Sequence, residues 1–233
     1  MNKEQLMDLV NANIAHLPDA VFSSLEELMK DTLETNEKFN LTAIKNEDEF
    51  RELMIYDSLL PLKYVDFTNK KVLDVGTGAG YPGLPLALAS KGDFTLLDAT
   101  AKKINHINEY VKAHNIQNVL GVNDRAEEYA RKHRDEFDIV IARAVSSLNM
   151  LLELCLPLVK VGGYMIAMKG NNVEQEVLEA KRAFKTLNSE IEARHFDILP
   201  ISKSERTLII IKKVKETPKK YPRSFSEIKN NSL

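Results

Sequence analysis

A run of glycines and three acidic side chains carry the most readable chemistry in this chain. The run is Val72-Leu73-Asp74-Val75-Gly76-Thr77-Gly78-Ala79-Gly80-Tyr81-Pro82-Gly83; Asp98 ends the next apolar run, and Glu127 follows the third. An apolar run that enters a glycine turn and leaves as a helix near Leu84 is a strand–loop–helix unit. Its glycines allow positive φ and let a ligand approach the backbone with no Cβ in the way. A carboxylate at the end of the following strand is placed to reach ribose hydroxyls. Glu127, in Asn123-Asp124-Arg125-Ala126-Glu127-Glu128, can accept a hydrogen bond from an adenine amino group. The set reads as a seat for a nucleoside.

Two ligands compete for that seat. Gly78-x-Gly80-x-x-Gly83 matches the dinucleotide fingerprint, which would make the chain an NAD-dependent oxidoreductase. A pyrophosphate draws on free N–H groups at a helix start, whereas Pro82 and Pro85 each remove one. The earlier series Asp74-x-Gly76-x-Gly78-x-Gly80 fits the turn better and suits the zwitterionic end of S-adenosylmethionine. The methyl donor is therefore the preferred reading, with the dinucleotide kept as the alternative.

The elements that must hold these residues follow from periodicity. Before Lys70 the chain reads helical. Leu25, Leu28, Met29 and Leu33 form one stripe, which Ser23 or Ser24 could cap with Glu26 or Glu27; Phe50, Leu53, Met54, Asp57 and Leu60 form a second, stopped near Pro61. After it, strand-like runs at 71–75, 94–98, 119–122, 138–142 and 164–168 alternate with helical stretches such as 102–114 and 148–159, which predicts a parallel sheet with right-handed crossovers. Ile139-Val140-Ile141-Ala142 has no polar alternation and reads as a central strand buried on both faces. After a helix over 173–187, runs at 191–199 and 207–211 are joined by too short a segment for a crossover, so they should pair as an antiparallel hairpin. The expected fold is a seven-stranded, doubly wound, Rossmann-like α/β sheet of the methyltransferase type with a terminal hairpin. Residues 1–68 form a helical extension, 69–213 the ligand-binding domain and 214–233 a basic tail.

Composition narrows the class. With 233 residues, 44% hydrophobic and 28% charged, the chain resembles an ordinary globular enzyme. No apolar run approaches the ~18 residues of a membrane span, and the opening Met1-Asn2-Lys3-Glu4-Gln5 does not read as a secretion signal. Its one cysteine, Cys155, excludes an internal disulfide and sits between leucines as core. The histidines form no metal-ligand spacing, so no metal is expected. Net charge is −2, yet Lys212, Lys213, Lys215, Lys219, Lys220, Arg223 and Lys229 cluster at the end, either as a frayed solvated tail or as a phosphate-gripping one. Arg131-Lys132-His133-Arg134 reads as a solvated helix end.

The stretch Asp74 to Leu86, with Pro82-Gly83-Leu84-Pro85 after the glycine turn, closely resembles the signature of the RsmG (GidB) family, bacterial methyltransferases of guanine N7 in small-subunit (16S) ribosomal RNA. The resemblance spans most of the chain: Phe39-Asn40-Leu41-Thr42, Asp57-Ser58-Leu59, Leu97-Asp98, Arg125-Ala126-Glu127, Ala142-Arg143-Ala144-Val145, Lys169-Gly170, Glu205-Arg206 and Pro218–Arg223 follow in order. It departs from the family at Met54, where a histidine usually stands, at Lys102-Lys103 in place of Lys-Arg, and beyond Arg223, where Ser224-Phe225-Ser226-Glu227 replaces a Gly-Pro-containing basic ending. The resemblance implies S-adenosylmethionine contacts at Gly76, Gly78 and Tyr81, Asp98 near the ribose, Ala126 and Glu127 near adenine, and Arg143 in the loop after the fourth strand. With Asp74 and Gly80 from the turn itself, that is the expected cofactor set.

Guanine N7 presents a lone pair and carries no hydrogen, so methylating it needs no general base, and none is evident. Catalysis would then rest on placing N7 in line with the sulfonium methyl, where orientation alone is worth ~7–11 kcal/mol. Arg143 and Lys169 follow predicted strands; Arg143 is expected to order the cofactor side or the base, and Lys169 to contact RNA phosphate, each with a surface ion pair as the competing reading. Arg206 and the tail lysines are weaker phosphate candidates. The expected partner is small-subunit ribosomal RNA or the small ribosomal subunit, and the chain reads as a cytoplasmic monomer. A ribosome-binding assembly protein that retains the fold without transferring a methyl is the alternative of a different class.

Overall fold

Strand alternation sets the architecture. In the computed structural model, which describes residues 1–143, 146–171 and 173–233, Ile139 and Ile141 turn into one apolar cluster while Val140 and Ala142 turn into another. The uninterrupted run predicted for a doubly buried strand is that strand, β4 (Phe137–Arg143). Ala144 and Val145 of the motif begun by Ala142-Arg143 lie outside the described residues, as does the Phe39 side chain.

The sheet has seven strands in the order β3-β2-β1-β4-β5-β7-β6. Strands β1 (Lys71–Val75), β2 (Asp93–Asp98), β3 (Val119–Asn123), β4 and β5 (Val159–Lys169) run parallel. Strand β6 (Ser189–Ile198) pairs antiparallel with β7 (Glu205–Lys213), and β7 antiparallel with β5. The doubly wound sheet with a terminal hairpin is thus as the alternation predicted. Strand order reverses between β1 and β4, the point at which doubly wound sheets place a ligand crevice beyond the strands' carboxyl ends.

One face is covered by α1 (Lys3–Asn13), α2 (Asp19–Phe39), a helical stretch from Glu47 to Lys63, α5 (Gly83–Ala89) and α6 (Ala101–Ala113). Leu6, Phe22, Leu25, Leu28, Phe50 and Leu59 share a single cluster with Tyr81, Leu84, Ile104 and the strand residues Val72 and Leu96. The other face is covered by α7 (Ala126–Lys132), α8 (Leu148–Cys155), α9 (Val173–Glu179), α10 (Lys181–Thr186) and α11 (Phe225–Asn230). Cys155 is in this second core, where burial pushes its thiol well above the usual range.

Several local expectations need correction. Ser23 and Ser24 do not start a helix: α2 begins at Asp19, because the apolar stripe reaches back to the buried Phe22, and Ser24 Oγ donates to the Ala20 carbonyl. The stretch ending near Pro61 is not a plain α-helix. It runs α3 (Glu47–Phe50), a π-helical turn (Arg51–Tyr56), α4 (Asp57–Leu59) and a 3₁₀ turn (Leu60–Lys63).

The tail is docked rather than frayed. Lys213 is fully buried, its ammonium shared by Asp135 and the Leu156 and Val159 carbonyls. Arg134 is not a solvated helix end, because its guanidinium donates to the carbonyls of Thr217 and Tyr221. The wholly buried Glu153 accepts from the Arg223 N–H, Nε and Nη2 at 2.6–2.9 Å. Ser224 and Glu227 then form a reciprocal capping box that starts α11, and Ile228 buries against the core. Lys215, Lys219, Lys220 and Lys229 stay exposed.

Removing one member of a buried ion pair strands the other charge in low dielectric, which typically costs ~3–5 kcal/mol. Arg223→Ala is expected to lower unfolding free energy by about 3 kcal/mol in urea titrations, the low end because Arg223 itself is partly exposed. A loss below about 1 kcal/mol would show that the tail is held without Glu153.

Candidate active site at the carboxyl edge of the sheet

The loop after β1 is held from beneath by Asp74. Its buried Oδ2 accepts from the Thr77 hydroxyl at 2.7 Å and from the Gly83 N–H at 2.9 Å, tying both ends of the glycine turn to the strand. Gly76 and Thr77 donate to the Leu97 carbonyl, so the loop also hangs on β2. Gly76, Gly78 and Gly80 all have positive φ (73°, 62° and 95°), which only glycine adopts without strain. Their surroundings differ. A Cβ on Gly80 would lie 2.4 Å from Leu84 Cδ1, so Gly80 is a packing requirement; a Cβ on Gly78 would meet nothing within 4 Å, so the loop opens to free space there.

Asp98 sits beside that opening. Oδ2 accepts from the Gly78 N–H at 3.0 Å and Oδ1 from the Thr100 N–H at 2.8 Å, while Lys103 Nζ lies 3.9 Å away. Each oxygen keeps a lone pair for a ligand hydroxyl. At the next strand end, Asn123 Nδ2 donates to the Asp98 carbonyl. Ala126 opens α7, and the buried Glu127 pairs with Arg125, whose guanidinium stacks 4.7 Å from the Phe225 ring of α11.

Tyr81 departs from expectation. Its ring packs edge-on against Phe50 and its hydroxyl shares a hydrogen bond with Thr32 at 3.1 Å, both in the N-terminal helices. The side chain therefore braces the loop against that layer, and only its backbone faces the turn. Burial holds its phenol far above the usual range.

Arg143 and Lys169 are not brought together. Period-2 alternation sends Arg143 to the same face as Ile139 and Ile141, and Lys169 to the opposite face with Met165 and Ala167. Arg143 Nη1 lies 3.3 Å from the Leu53 carbonyl, Asp57 Oδ2 and Ser58 Oγ, and Nη2 lies 3.5 Å from Met54 Sδ. Lys169 Nζ is spent on Glu176 at 2.7 Å and the Ser146 carbonyl at 2.6 Å, with its side chain 8% exposed. The expected phosphate contact from Lys169 is thus corrected to an internal ion pair that ties β5 to α9. Sequence reasoning assigned no function to Asp57, which is buried and also receives Arg206 Nε at 3.0 Å.

A crevice of about 580 Å³ lies at the opposite edge of the sheet, between Tyr64, Lys70, Asp138, Lys160, Tyr164, Glu192 and His195. Several of its polar groups are paired within it (Lys160 with Asp138, Tyr164 with Glu192), and Tyr64 stacks on His195 at 3.8 Å. Among the described residues, no group of three or more His, Cys, Asp or Glu side chains could hold a metal, and no helix is long and apolar enough to cross a membrane.

Known proteins resemble this chain at two levels. The sequence pattern of one family, rRNA small subunit methyltransferase G (GidB), matches residues 22–203. Proteins named ribosomal RNA small subunit methyltransferase G share 39% identity in Bacillus cytotoxicus and 40% in Bacillus licheniformis, each over 227 residues that cover 96% of this chain and 95% of the relative. Among solved structures, TYW2 of M. jannaschii in complex with AdoMet aligns with a TM-score of 0.53 at 16% identity, over 64% of this chain and 72% of that one. The [4+2]-cyclase SpnF aligns with a TM-score of 0.51 at 13% identity, over 66% and 76%. At such identity the structural likeness carries the fold and no chemistry.

Burial raises the Asp74 carboxyl to about 6, against the lowering pull of the Thr77 and Gly83 donors; Oδ1 is buried with no partner. The folded protein thus holds this proton more tightly than the unfolded chain, so the stability Asp74 contributes is fully present below about pH 4 and is lost as pH rises through 6. Relative to Asp74→Asn, the native protein is expected to lose about 2 kcal/mol between pH 4 and pH 7 in urea titrations. A difference that stays flat across this window would contradict the buried-carboxylate account.

Proposed function

The chain belongs to the rRNA small subunit methyltransferase G family, and from that premise we propose that it transfers the methyl group of S-adenosylmethionine to N7 of a guanine in small-subunit (16S) ribosomal RNA. The carrying observation is the opening at Gly78, flanked by Asp98, at the point where the strand order reverses. Bare backbone and a carboxylate with unused lone pairs fit the methionyl and ribose portions of that cofactor. Glu127 and the backbone at Ala126, one strand further out, fit the adenine. Gly76 and Gly80 shape the turn, Asp74 fixes its two ends and Tyr81 braces it from behind.

When bound, S-adenosylmethionine supplies an electrophilic methyl on a sulfonium. The residues of this chain then have three tasks. Asp98 and the turn fix the cofactor so that its methyl points into the crevice. Arg143, held on the same face, holds the substrate RNA beside it. The packed N-terminal layer limits water at the edge. None of these residues needs to remove a proton, because N7 has none to lose; the catalytic requirement is alignment. The target guanine must also leave its stack, at a cost of a few kcal/mol that contacts to the RNA offset. A ribosomal RNA substrate would place the activity in the cytoplasm, where the protein is proposed to act as a monomer.

Incubation of the purified protein with tritiated methyl donor and methyl-deficient small subunits is expected to label N7 of a guanine, read by nuclease digestion and mass spectrometry. RNA bound without incorporated label would instead support an assembly protein. Asp98→Ala should weaken cofactor binding by calorimetry at least about tenfold, the worth of one charge-assisted hydrogen bond, with the circular dichroism spectrum retained. Gly78→Ala separates ligand space from packing: it should cost about 1 kcal/mol of stability for its positive φ yet lose most cofactor affinity. Unchanged affinity in both variants would remove this loop from the site.

A further inference from the structure

The helical stretch from Glu47 to Lys63 does more than cover the sheet. Its middle turn is π-helical, with the Asp57 N–H bonded to the Glu52 carbonyl five residues back. Such turns are uncommon and concentrate at functional sites. The polar groups of this turn and the residues after it face the sheet edge. Leu53 O, Ser58 Oγ and Asp57 Oδ2 surround the Arg143 guanidinium from β4. Asp57 Oδ1 takes Arg206 Nε from β7. One turn earlier, the buried Glu52 carboxylate accepts the Ile201 N–H at 2.6 Å and the Ser202 N–H at 3.0 Å, fixing the β6–β7 turn from which Arg206 emerges.

Asp57 is only 3% exposed and serves one guanidinium with each oxygen. A guanidinium cannot shed its proton at any working pH. The cluster therefore holds two fixed positive charges and one negative one and carries a net charge of +1. Without the carboxylate, two partly desolvated cations would repel each other beside the crevice. With it, their side chains, 13% and 21% exposed, form one rigid pair with donors to spare. Arg143 and Arg206 reach this point because both occupy the same alternation face as Ile141 and Leu208.

We infer that Asp57 is a positioning residue for the methyl-transfer site, locking Arg143 and Arg206 into a cationic pair that grips a phosphate of the substrate RNA at the rim of the crevice. The inference rests on the proposed activity. Asp57 touches neither cofactor nor RNA and acts through the two arginines, whose forked donors match phosphate oxygens.

The test is steady-state transfer to methyl-deficient small subunits by the native protein, Asp57→Asn, Arg206→Met and the double variant, with cofactor affinity measured separately by calorimetry. Asp57→Asn keeps the shape and removes the charge. It should raise the KM for the particle at least about tenfold, the size of one lost charge-assisted contact, and change S-adenosylmethionine affinity less than about threefold. Arg206→Met should do the same, and the double variant should be no worse than the poorer single one, because both break one unit. A merely structural Asp57 would lower thermal stability without this split. An unchanged particle KM in Asp57→Asn, additive losses in the double variant, or a loss confined to cofactor affinity would each overturn the inference while leaving the activity intact. If Asp57→Asn fails to fold by circular dichroism, Arg206→Met decides alone, and an unchanged KM overturns it. An inactive native protein would take down the activity and this inference together.

Discussion

The two-sided burial of the central strands is the constraint on which the rest of the molecule depends. Once β4 must hide Ile139 and Ile141 on one face and Val140 and Ala142 on the other, no polar side chain can sit along its middle. Polarity is admitted only at the strand end, and its direction there is already fixed by counting twos. The same count applies to neighbouring strands, since the register sets Val75 beside Leu97, Asp98 beside Asn123 and Arg143 beside Met168. Asp74, Asp98, Arg143 and Arg206 consequently end on one face, while Lys169 ends on the other with Glu176. The site is asymmetric because a pleat is.

That asymmetry puts the N-terminal helices over the polar strand ends. The face that receives the polar strand ends is the face covered by α2, α5, α6 and the Glu47–Lys63 stretch. Tyr81 bonds Thr32 across it, Arg143 bonds the Leu53 carbonyl of the π-helical turn, and Arg206 bonds Asp57. Buried ion pairs of this kind add little net stability, because desolvation offsets much of their attraction. What they add is direction, since a guanidinium with partners on several sides has one orientation. The opposite face is closed by apolar packing and by the docked tail, and there the charges of Lys213, Glu153 and Lys169 are consumed internally.

Much of this was legible before any coordinates. Alternation gave the parallel core and the terminal hairpin, and the glycine turn with Asp98 gave the crevice, because both signals are local and periodic. The side of Lys169 is legible too, since its parity with Ala167 and Met165 opposes that of Arg143 with Ile141. Other features lay beyond sequence reasoning. A π-helical turn in Arg51–Tyr56 leaves no compositional mark, since its apolar spacing passes for an ordinary helix. Asp57 and Arg206 meet across 149 residues of chain, and nothing near either one announces the other. The tail lysines look alike in composition, yet Lys213 is buried by the β7–β6 register while Lys219 and Lys220 remain in water. Only the packed sheet distinguishes them.

The charge pattern has a further consequence for the proposed chemistry. Transfer of a methyl from a sulfonium to a neutral N7 moves one positive charge from the cofactor to the base and creates none. An enzyme for such a step gains little from a strong field that favours one end over the other. It gains from fixed geometry around a charge that merely shifts position. The edge described above has that character. On the side proposed for the cofactor stand Asp98 and the Gly78 backbone, bonded to each other; on the side proposed for the substrate stand two cations neutralised to +1 by one shared carboxylate. Asp74, with one partnerless buried oxygen, is raised to about 6 by burial and tied by Thr77 and Gly83. Asp98, Arg143 and Arg206 are thus each braced by a partner from a different element, so that what the fold would contribute to the proposed reaction is alignment.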